Sequence, residues 1–85
     1  METTYFLHIT NVLNLIGELP DIEINHGDLI NPLQALAQRD LDISRILFTS
    51  LFVSIYNQLD NNNMQVKYYL DNWLNIYYLK SNNNY

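Results

Sequence analysis

The sequence predicts an all-α fold: a small bundle of three to four helices around a central apolar helix at about residues 43–59, with a short extended connector near 20–28. Three observations predict it. Tyr5, Ile9, Val12, Ile16 and Leu19 recur at alternating intervals of four and three, which places them on one face of a helix. The stretch 43–59 carries one charged side chain, Arg45, and its apolar residues fall on almost every side of a helical projection. A helix of that kind must be covered, by its own chain or by a partner's. After the polar run 60–63, Val66, Tyr69, Leu70, Trp73, Ile76 and Tyr77 again repeat with a helical period.

In order along the chain, the first helix is expected over residues 4–19, with Thr3 or Thr4 as cap, Phe6, Leu13 and Leu15 widening its apolar face, and Pro20 as its stop. Ile22 and Ile24 then alternate with Asp21, Glu23 and Asn25, a two-residue period that suits an extended segment covering the end of the core. His26, Gly27 and Asp28 read as a turn. Asn31, Pro32 and Gln34 occupy the N-cap, first-turn and capping-box positions of a second helix, with Leu33, Leu36 and Ala37 facing inward. Between Arg39 and Asp42 the chain is expected to break, because Asp40 or Asp42 suits a new helix start and about 28 unbroken helical residues is long for so small a domain. Asn62 or Asn63 caps the last helix, residues 64–80. One domain is expected over 1–80, followed by a frayed polar tail at 81–85.

The chain has 85 residues, 48% of them apolar, and no Cys, so disulfides and thiolate metal sites are excluded. Helix packing and oligomerisation are the stabilising devices left to a chain this small. Four basic residues stand against nine acidic ones, a net charge of −5. That balance argues against direct contact with nucleic acid or an anionic membrane and favours a protein partner, a basic one if charge decides. The N-terminal residues lack the basic and unbroken apolar regions of a signal peptide, and the apolar run 46–56 is too short, at about eleven residues, to span a bilayer. A cytoplasmic protein is the expectation.

Chemistry-bearing patterns are few. Asp21, Glu23, Asn25 and Asp28 imitate the opening of a calcium loop, but His26 stands where that loop needs Gly and Pro32 where it needs its bidentate Glu. No metal and no cofactor are expected. A general base built from His26 with Glu23 or Asp28 is chemically conceivable, yet no nucleophile stands at a recognisable spacing and the chain has only two glycines. Ser44, Ser50 and Ser54 lie in the apolar helix, where buried hydroxyls commonly bond back to the preceding turn. Residues 36–45 faintly follow a helix-turn-helix pattern, which Asp40, Asp42 and the apolar Ile46-Leu47-Phe48 oppose. The sequence therefore points away from an enzyme.

The aromatic residues of the last helix, Tyr68, Tyr69, Trp73, Tyr77 and Tyr78, are the candidate partner-binding surface, since such side chains bury large area and keep a polar handle. An ordinary core would absorb some of them. The expected function is a non-catalytic protein–protein interaction module, an adaptor, regulator or assembly factor that self-associates as a homodimer. The alternative is a phage or mobile-element inhibitor whose carboxylates block a basic nucleic-acid-binding groove.

Overall fold

Tyr5, Ile9, Val12 and Ile16 are all buried in the structure, a computed structural model. The model describes residues 2–19 and 21–79, with the side chains of residues 2, 61, 78 and 79 outside the description. The four residues line one face of α1 (Glu2–Gly17), with Phe6, Leu13 and Leu15 half-buried beside them. The helix begins before Thr3 and unwinds at its end through turn bonds from Glu18 to Leu15 and from Leu19 to Ile16. The expected stop at Pro20, the end of the last helix at Lys80 and the tail 81–85 lie outside the described residues.

Residues 22–25 lie in neither helix nor strand, Asn25 with extended dihedral angles, and burial alternates as predicted: Ile22 and Ile24 lie half-buried against the core and Glu23 is exposed. Gln58 holds this connector as a neighbouring strand would. Its amide nitrogen donates to the Glu23 carbonyl and its amide oxygen accepts from the Glu23 N–H, both at 3.0 Å.

The second helix corrects the sequence reading. It is α2 (His26–Ala37), so His26, Gly27 and Asp28 form its first turn, and the N-cap is Asn25 instead of Asn31. Asn25 donates to the Asp28 carboxylate (3.2 Å), and that charge sits at the positive end of the helix. Pro32 lies inside the helix and is buried, not at its start. Its missing N–H leaves the carbonyl of Asp28, an exposed residue, without a helical partner. Packing against the next helix overrides the poor helical propensity of Gly27 and Pro32. With this register Leu29, Pro32, Ala35 and Leu36 face inward, whereas Leu33 and Ala37, both expected inside, are exposed.

The chain does break after α2. Arg39 adopts a left-handed conformation (φ 63°), its N–H donates to the Leu36 carbonyl, and the Asp40 N–H donates to the Ala35 carbonyl. These two bonds make a Schellman ending. Asp40 then caps α3 (Leu41–Gln58) by accepting from the Ile43 N–H. Asp60 caps the following 3₁₀ turn, Asn61–Asn63, through its carboxylate, and Asn63, one of the two expected caps, stands at the N-cap of the last helix without a side-chain cap bond. The chain continues as α4 (Met64–Trp73) and widens into a π-helical turn, Leu74–Leu79.

The described residues form no strand, and the fold is all-α. The core joins α1, α3 and α4 through Ile9, Phe48, Phe52, Ile55, Leu70 and Trp73. α2 pairs with α3 as a helical hairpin, and α1 lies on α4. The central helix is thus covered mainly by α2 and the Trp helix. The N-terminal helix reaches it chiefly through side chains: the Tyr5 hydroxyl meets Ser44 Oγ at 2.8 Å within the core. Ser44 therefore bonds across to α1, unlike the expected return to its own turn, which Thr10 and Thr49 do make.

Candidate protein-interaction surfaces

The five aromatic residues expected to form one surface are separated by the fold. Trp73 is 1% exposed and belongs to the core, a correction of its expected place at an interface. Its indole packs edge-on against Phe52 (centroids 4.9 Å) and beside Tyr77 (5.0 Å) and Tyr5 (6.1 Å). The reason is register: Val66, Leu70 and Trp73 share the inward stripe of α4, and the largest apolar side chain fills the space between three helices. Among the described residues the buried indole N–H has no hydrogen-bond partner. Tyr77 is half-buried, edge-on to Tyr5, with its hydroxyl 3.4 Å from His8 Nδ1. Burial pushes the phenols of Tyr5 and Tyr77 above the ordinary tyrosine value, and the bond to Ser44 partly opposes this at Tyr5.

Tyr68 and Tyr69 do face outward. Tyr68 is 69% exposed and stands edge-on to Tyr69, 5.8 Å between centroids. The side chain of Tyr78 lies outside the described residues. Of the four whose side chains are described, only Tyr68 and Tyr69 form a surface pair.

More apolar surface lies where the sequence reading did not place a site. Ile43, Ile46 and Val53 are exposed on the outer face of α3, Ile46 at 58%. Their spacing of three and seven puts them in one stripe with the exposed Ser50 and Asn57. The signal was present, since an all-round apolar helix needs cover on every side, but the covered side could not be told from the uncovered one. Leu7 on α1 and Met64 at the start of α4 are also exposed.

Grooves flank α2, two of them on its sides toward α3 and the connector. One, of about 300 Å³, runs between α2 and α3 past Gly27, Asp28, Pro32, Ser50 and Ser54. The other, of about 370 Å³, is lined by apolar side chains: Leu13 and Ile16 of α1, Ile22 and Ile24 of the connector, and Leu29 and Leu33 of α2. His26 is exposed at the start of α2, and no hydrogen bond joins it to Glu23 or Asp28. Among the described residues no group of three or more His, Cys, Asp or Glu is placed to hold a metal ion, and no helix is long and apolar enough to cross a membrane.

Comparison with known proteins gives one family. The family model described as DNA-PKcs, CC5 matches residues 14–76, from the second half of α1 into the π-helical turn. Among individual proteins, the DNA-dependent protein kinase catalytic subunit of Xenopus laevis is 62% identical over 39 residues, which is 46% of this chain. Those of Mus musculus and Dictyostelium discoideum are 52% identical over 44 residues and 54% over 41, covering 52% and 48% of this chain. In each case the match spans 1% of the relative's length. No solved structure matches the chain.

Proposed function

We propose, given that the chain belongs to the DNA-PKcs CC5 family, that it is a non-catalytic helical module that works by protein–protein contact and associates with a second copy of itself. The observation that carries the reading is the apolar surface left outside the core, above all the stripe Ile43, Ile46 and Val53 on α3. Surface of this kind marks an interface more often than a free face. The relatives are catalytic subunits, and the shared stretch is a hundredth of their length. In this chain the polar contacts serve the fold: Tyr5 with Ser44, Gln58 with Glu23, and the Asp40 and Asp60 caps.

An 18-residue helix such as α3 is about 27 Å long at 1.5 Å per residue, so one stripe offers less than the roughly 800 Å² per partner of a stable complex. A stable dimer therefore engages neighbouring patches as well. Sedimentation velocity over a concentration series is the test. The expected result is a shift from the 10.1 kDa monomer toward twice that mass, reversed by Ile46→Glu with Val53→Glu. A monomer that persists at high micromolar concentration overturns the self-association.

A further inference from the structure

The apolar groove between α1, the connector and α2 is bordered along the chain by residues of one charge sign, which form its rim in sequence. Glu18, Asp21 and Glu23 are exposed and alternate along the chain with Leu19, Ile22 and Ile24, which line the groove. Residues 1–38 hold Glu2, Glu18, Asp21, Glu23 and Asp28 and contain no Lys or Arg. The connector that carries two of the rim carboxylates is held in place by Gln58, so the rim is built into the fold. At about 370 Å³ the groove falls within the range of ligand clefts. It differs from most in offering no polar side chain among its lining residues to orient a small molecule.

We propose that this groove docks an amphipathic helix of a partner protein, with large apolar residues seated between α1 and α2 and Lys or Arg residues flanking them to meet Glu18, Asp21 and Glu23. The inference rests on the interaction-module reading and names the partner's chemistry. Charge selects the occupant: a second copy would bring the same carboxylates to the same rim, whereas a basic helix neutralises them. Its apolar residues, three or four apart, supply the anchors that an apolar groove accepts.

The test is fluorescence anisotropy with the full chain and two labelled synthetic helices sharing one leucine stripe, flanked in one by lysines and in the other by glutamates. The lysine helix should bind, more weakly as salt rises, and the glutamate helix at least about tenfold less tightly. Gly17→Leu adds bulk at the groove wall, where a new Cβ meets nothing within 4 Å. It should lower affinity about tenfold or more while the circular dichroism is unchanged. If that variant misfolds, Leu33→Glu at the exposed edge takes its place. Equal binding of both helices, binding indifferent to the groove variant, or binding of neither overturns the proposal. So does a dimer of the native chain that Gly17→Leu abolishes, because the groove would then belong to a second copy. A chain that dimerises yet binds neither helix removes this inference alone; one that does neither removes the interaction-module reading as well.

Discussion

Tyr5 shows how one side chain can hold two helices in register. Its ring packs against Trp73 and Tyr77, and its hydroxyl meets the fully buried Ser44. Such a bond contributes about 0.5–1.5 kcal/mol net, and removing one partner leaves the other's polar atom buried without it. The phenol also ties stability to pH. Burial raises its folded-state value above 10.0, so the folded chain holds this proton more tightly than the unfolded chain does. The corresponding stability is fully present below pH 10 and is lost as pH rises through the raised value. Tyr5→Phe should therefore lower stability at pH 7 by about 1 kcal/mol and make the alkaline loss shallower. Urea unfolding at neutral pH and above pH 10 reads both effects; an unchanged alkaline slope would remove Tyr5 as its source.

At the level of elements, the corner between α2 and α3 decides the topology. A Schellman ending usually places Gly at the left-handed position, but here that residue is Arg39, with its guanidinium 5.0 Å above the Phe6 ring. The side chain thus ties the corner to α1, at the expense of local backbone strain. Arg39→Gly and Arg39→Ala both lose the cation–π contact, so their difference isolates the backbone. The glycine variant should be the more stable by about 1 kcal/mol, the penalty of a Cβ in this conformation. Thermal or urea unfolding of the pair checks it, and equal stabilities would mean that the corner relaxes out of the left-handed region. The same corner explains why α2 was misread. Asn31-Pro32 is a good local start signal, but pairing with α3 rewards a helix that begins at His26 and buries Pro32. Local propensity costs about 1 kcal/mol at Gly27 and about 3 kcal/mol at Pro32 in a helix interior, and hairpin burial outweighs it.

For the whole molecule, the question is which sides of α3 are inside. Phe48, Phe52 and Ile55 have no exposed surface, while Ile46, two residues before Phe48 on the same helix, lies open. Phe52→Leu should lower stability by about 1–3 kcal/mol, as expected of an altered core aromatic, whereas Ile46→Ser should change it by less than about 0.5 kcal/mol. Chemical denaturation at a concentration low enough to keep the chain monomeric separates the two. A large loss in Ile46→Ser under those conditions would place that residue in a core the structure does not show.

The sequence by itself determined the helical class, the four-three stripe of α1, the extended connector with its two isoleucines and the break near Arg39. Each of these follows from periodicity or from one strong local signal. Only the tertiary structure decided the rest. It assigned Trp73 to the core and left Tyr68 outside, moved the start of α2 to His26, and exposed one stripe of α3 while covering the opposite one. It also closed α1, the connector and α2 around an apolar groove. In an aromatic or all-round apolar helix every face satisfies the local pattern equally well, so the choice of buried face falls to neighbours distant in sequence. The stretch 43–59, which was expected to be covered by its own chain or by a partner's, is covered by its own chain on one side, and its open stripe is a defined candidate for contact with another molecule.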